Sequence, residues 1–126
     1  MATAAPHVVL VVEDDSAVRR PLEKFLELKH FKVVSAETAD EAIAAIGLHR
    51  PSAAIVDLRL AQGSGRDVVI SMPAGVPVII FSGVPSESAE LERLRPLTRL
   101  VQKPYSLVML VEALQEMIAK RNGQES

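Results

Sequence analysis

The chain predicts an α/β fold, an open and doubly wound sheet of five parallel strands with helices on both faces. Three observations carry that prediction. Short apolar runs alternate with segments of helical periodicity, which is how strand–helix units joined by crossovers read in a sequence. Val8–Val12, Ala53–Val56 and Val76–Phe81 are nearly unbroken apolar runs, as central parallel strands covered on both faces require. Finally, 126 residues with 48% hydrophobic content suffice for one domain with its own core.

The elements follow in order. After the first strand, a helix over Ser16–Lys29 places Val18, Leu22, Phe25 and Leu26 on one stripe, with Pro21 inside it removing one backbone hydrogen bond and bending it slightly. Phe31–Ala36 is a mixed strand suited to an edge, and Ala42, Ile43 and Ile46 mark a helix over Ala39–Leu48. Ala53–Val56 is the third strand. A weaker helix spans Gly65–Met72, and Pro73, Gly75 and Pro77 turn the chain into the fourth strand, Val76–Phe81. A second weak helix over Ser86–Leu94 precedes a short fifth strand, Arg99–Val101. The last helix, Ser106–Arg121, carries Leu107, Leu110, Val111, Leu114 and Ile118 at core-facing spacing. Residues 1–6 and 122–126 read as tails around a domain over 7–121.

Composition excludes several classes. With no cysteine there is no disulfide, thiolate metal site or cysteine nucleophile, in keeping with a cytoplasmic location. The apolar runs are far shorter than the roughly 20 residues of a membrane span, and "MATAAPH" lacks the features of a signal peptide. A net charge of −2 offers no basic field for nucleic acid.

In an open parallel sheet, ligands bind beyond the carboxyl ends of the strands. Strand one ends in Glu13, Asp14 and Asp15, strand three in Asp57, strand four in Ser82 and Gly83, and strand five in Lys103 and Pro104. Carboxylates crowded at one edge repel one another unless compensated. A hard divalent cation with oxygen ligands resolves the conflict, and magnesium fits these residue types best. With the cation and Lys103 balancing charge, Asp57 can act as a nucleophile toward phosphorus. Helix capping accounts for Asp15 or Ser16 but not for all three acids. Gly63 and Gly65 are expected at positive φ. His7, His30 and His49 are scattered without ligand spacing, and Arg19 and Arg20 read as a solvated helix face, with docking of a partner as the alternative.

The stretches "VVEDDSAVRR", "IVDLRLAQGSG", "VIIFSG" and "VQKPYS" closely resemble, in order, the strand-end motifs of two-component response-regulator receiver domains. The resemblance spans residues 7 to about 121 and implies a flavodoxin-like fold of strand order 2-1-3-4-5. It implies Asp57 as phosphoacceptor, Asp14 as a direct magnesium ligand, Glu13 as a ligand mainly through water and the Arg59 carbonyl as a backbone ligand. Ser82 matches the switch hydroxyl, Lys103 the lysine before a typically cis proline, and Gly65 the glycine of the following loop. Arg59 and Val84 are implied to tune phosphate lifetime. The partners implied are a histidine kinase or histidine phosphotransfer protein and a downstream protein, the chain being a monomer or weak homodimer through helix four, strand five and helix five. It is then no enzyme in the usual sense, though it promotes its own phosphorylation and dephosphorylation. With no output domain in the sequence, the signal is expected to leave by protein contact or phosphorelay. Two positions depart from the pattern: Ala61 replaces the usual proline and leaves the loop less constrained, and Leu100 replaces the aromatic switch, for which Tyr105 is no direct substitute. The shorter stretch from Asp57 to Ser82 predicts a short third helix. Two rival readings are a receiver that only binds partners and a haloacid-dehalogenase-type phosphatase, which needs an acid where Arg59 stands.

Overall fold

A computed structural model describes residues 7–83, 88–102 and 106–125, with side chains as far as residue 120. Five parallel strands, β1 (Val8–Val12), β2 (Lys32–Ala36), β3 (Ala53–Asp57), β4 (Val78–Ser82) and β5 (Thr98–Gln102), lie in the order β2-β1-β3-β4-β5. The helices are α1 (Ser16–Leu28), α2 (Ala39–His49), α3 (Gly65–Ser71), α4 (Ala89–Leu94) and α5 (Leu107–Glu125). α3 is short, as the reduced spacing implies.

Strand alternation divides the core into two layers. Val9, Val11, Ala53, Ile55, Ile79 and Phe81 face Leu22 and Leu26 of α1 and Leu110, Val111, Leu114, Met117 and Ile118 of α5. The opposite parities, Leu10, Val12, Ala54, Val56, Val78 and Ile80, face Ala42 of α2, Val68 and Val69 of α3, and Leu91 of α4. β3 and β4 are buried along their whole length, whereas β2 is mostly exposed or half-buried, which fits its place at the edge.

Local signals set the helix starts. The Asp15 side chain accepts from the Ala17 N–H, Thr38 from Glu41 and Ser64 from Arg66, each satisfying an amide of a first turn. α1 runs on through Pro21. α4 begins at Ala89, and the Ser86 start expected for it lies outside the described residues. α5 continues to Glu125, past the Arg121 expected from its apolar stripe. Polar residues carry a helix backbone as well as apolar ones do, so the stripe marks the buried length and not the helix end.

Candidate functional site

The β1 and β3 ends bring three acids together. Glu13 directly follows β1, and its N–H donates to the Ala36 carbonyl at 3.1 Å, extending the contact with β2 by one residue. Its side chain is buried, and Oε2 accepts from the Asp15 N–H at 3.2 Å. Asp57 closes β3 and is only 4% exposed, with Oδ1 accepting from the Arg59 N–H at 2.9 Å. Asp14, the most exposed of the three, has Oδ2 accepting from the Ala61 N–H at 2.9 Å. Glu13, Asp14 and Asp57 each place a carboxylate oxygen within 4.8 Å of the others.

Partial burial pushes the Asp14 carboxyl up, but hydrogen bonds with the Ala61 amide, the Glu13 side chain and the amides of Asp14 and Asp15 outweigh it. The group is held below its ordinary value of 3.8. It stays ionised against two acidic neighbours.

The loop after β3 is closed on itself by backbone contacts. Arg59 and Ser64 form an antiparallel bridge across it, and the Gly65 N–H donates to the Leu58 carbonyl at 3.2 Å. Gly63 has φ 85°, as expected of it. Gly65 does not have positive φ, which corrects the expectation; it is needed for space, because a Cβ there would lie 2.1 Å from the Asp57 carbonyl oxygen. Ala61 stands where the resemblance led to a proline. Lacking proline's ring, it keeps the N–H that ties this loop to Asp14.

Ser82 ends β4, buried and in register with Gln102, the last residue of β5. Lys103, which follows Gln102, lies outside the described residues, as do Pro104, Tyr105 and Val84. Leu100 is half-buried against the core layer of α2, α3 and α4. His7, His30 and His49 are exposed. Arg20 is exposed as expected, but Arg19 turns inward: its side chain is 11% exposed and Nη1 donates to the Glu13 carbonyl at 2.9 Å. The i, i+4 spacing is compatible with its pair to Glu23, but nothing in the sequence points to Glu13.

The 2-1-3-4-5 order and the three carboxylates gathered beyond the strand ends define an α/β domain with an acidic cluster at the carboxyl edge of its sheet. The chain belongs to the response regulator receiver domain family of two-component systems, whose family model matches residues 9–115. It is 32% identical over 119 residues to the transcriptional regulatory protein PrrA of Mycobacterium tuberculosis, covering 91% of this chain and 51% of that protein. It is 34% identical over 88 residues to the KDP operon transcriptional regulatory protein KdpE of Escherichia coli, covering 68% of this chain and 39% of that protein. The chain thus spans about half, or less, of the length of these relatives. A CheY-like receiver domain from Methanospirillum hungatei superimposes with a TM-score of 0.86 at 23% identity, over 94% of this chain and 98% of that one, and shares the fold. No helix among the described residues is long and apolar enough to cross a membrane.

Proposed function

We propose that the chain is a phosphorylatable receiver in which Asp57 accepts a phosphoryl group from a phosphohistidine of a histidine kinase or phosphotransfer protein. The observation that carries this reading is the convergence of Glu13, Asp14 and Asp57 at the carboxyl edge of the sheet. Three carboxylates in that space are a hard-oxygen donor set, and they fit magnesium. Asp14 and Asp57 would ligate it directly, Glu13 through water and Arg59 through its carbonyl. When bound, magnesium supplies charge neutralisation for the transferring group.

The chain's own residues do the rest. The Arg59 N–H fixes the rotation of the Asp57 carboxylate, which holds its nucleophilic oxygen in line with the incoming phosphorus. The new O–P bond forms as the P–N bond to imidazole breaks, the electron pair returns to that ring nitrogen, and the imidazole, already protonated on its other nitrogen, leaves neutral. Lys103 then pairs with the phosphate, and the Ser82 hydroxyl donates to a phosphate oxygen, drawing the loop after β4 inward. That movement biases a two-state equilibrium of the α4, β5 and α5 face. Leu94 at the end of α4 and Val108 and Met109 at the start of α5 are exposed apolar side chains.

Incubation with acetyl phosphate and MgCl2, followed by intact mass, is expected to add one phosphoryl group to the wild type and none to Asp57→Asn. An unmodified wild type would overturn the reading and leave a receiver that only binds partners; a labelled Asp57→Asn would move the acceptor elsewhere. The first of these rivals has no support in the arrangement of the three acids.

A further inference from the structure

The Arg19 side chain is committed on three sides. Nη1 donates to the Glu13 carbonyl at 2.9 Å, Nη2 lies 3.0 Å from Glu37 Oε1 and Nε lies 3.7 Å from Glu23 Oε2. Glu23 in turn accepts from the Ser35 hydroxyl of β2. The result joins the first turn of α1 to the ends of both β1 and β2. Such a commitment restricts a long side chain that would otherwise be free, and its site of action is the loop that carries the acids.

Both backbone polar groups of Glu13 are thereby engaged, the N–H by Ala36 of β2 and the carbonyl by Arg19 of α1. The Glu13 carbonyl and the Asp14 N–H belong to one planar peptide unit. Gripping the carbonyl therefore sets the plane from which the Asp14 side chain departs toward Ala61 and Asp57.

We propose that Arg19 is a positioning residue of the cation site, holding the Glu13–Asp14 peptide so that both carboxylates are placed to bind a divalent ion together with Asp57. The inference rests on the magnesium reading above. Arg19 touches neither the ion nor the phosphoryl group and acts only through the backbone.

Charge and positioning predict opposite signs here. A guanidinium near a cation site repels the cation, so if charge alone mattered, removing it would tighten magnesium binding. Loss of a positioning group loosens it, by about tenfold where supporting contacts of metal ligands are removed. Because the chain has no tryptophan, the test titrates MgCl2 into 15N-labelled full chain and follows the Asp14 and Asp57 amides, with thermal midpoints measured in EDTA. Arg19→Ala is expected to raise the magnesium Kd about tenfold. Arg19→Lys keeps the charge but cannot reach the Glu13 carbonyl and Glu37 together, and is expected to fall between; it carries the comparison if the alanine variant does not fold. Tighter binding by Arg19→Ala overturns the proposal in favour of simple repulsion. A lowered midpoint with unchanged Kd overturns it in favour of a brace for the fold. A wild type with no saturable shift brings down the magnesium reading, and this inference with it, whereas a binding wild type and equally tight variants bring down Arg19 alone.

Discussion

Gly65 and Gly47 show what a single missing methyl group does in two surroundings. A Cβ on Gly65 would sit 2.1 Å from the Asp57 carbonyl oxygen and 2.6 Å from the Leu58 Cα, both backbone atoms that cannot swing aside, while nothing lies within 4 Å of the corresponding point on Gly47. Gly65→Ala is therefore expected to destabilise the fold by about 1–3 kcal/mol through overpacking and to slow acetyl-phosphate labelling by displacing the Asp57 backbone. Gly47→Ala, inside α2, is expected to stabilise by about 0.5–1 kcal/mol. Urea denaturation of the two variants checks both signs; equal effects would show that the close approach at Gly65 is not the constraint. The sequence marked Gly65 by its spacing from Asp57 yet suggested the wrong cause, because a positive φ and a crowded Cβ both select glycine. Arg95 was not visible at all. It is 6% exposed, and its guanidinium donates to Thr98 Oγ1 at 3.0 Å, to the Val76 carbonyl at 3.0 Å and to the Pro73 carbonyl. Two of these partners are backbone carbonyls of a distant turn, and no local pattern announces such bonds.

Among the elements, the loop from Leu58 to Ser64 decides how the β3 end meets the β1 end. Its sequence suggests looseness, since Ala61 stands where a proline would stiffen it, but the free N–H gained there bonds to Asp14 at 2.9 Å. That bond is one of the contacts holding the Asp14 carboxyl below 3.8. Ala61→Pro removes the donor, so in EDTA the Asp14 carboxyl is expected to titrate at higher pH than in the wild type, followed by its side-chain 13C shift. The sign for stability follows. A depressed native pKa adds stability that is complete above the unfolded value and lost as pH falls through the native one, so the variant retains less of the Asp14 contribution at neutral pH. An unmoved titration would show that Ala61 is not what holds the group down. The strands themselves were largely legible, because two-sided burial leaves an apolar run that no other element needs. Their ends were less so. β4 begins at Val78, two residues after the start of its apolar run, since Val76 donates to Pro73 in a turn and Pro77 has no N–H for the ladder.

For the whole molecule, the two core layers are built from apolar side chains, while the edge gathers three carboxylates whose oxygens lie within 4.8 Å of one another. A protein arranged this way is stabilised by whatever binds its folded acids and not its unfolded chain. At magnesium ten times the Kd the gain is about 1.4 kcal/mol, which for a domain of this size raises the thermal midpoint by about 3–6 °C. NaCl at matched ionic strength is expected to give much less, since screening weakens the repulsion without filling the site. Asp57→Asn removes one of three crowded charges. In EDTA it is therefore expected to melt higher than the wild type, and to gain less from magnesium because a ligand has gone with the charge. Differential scanning calorimetry of both proteins in EDTA, NaCl and MgCl2 measures the comparison. If Asp57→Asn melted lower in EDTA and gained from magnesium as the wild type does, Asp57 would be a structural carboxylate outside the cation site, and the edge would owe its acids to Glu13 and Asp14 alone.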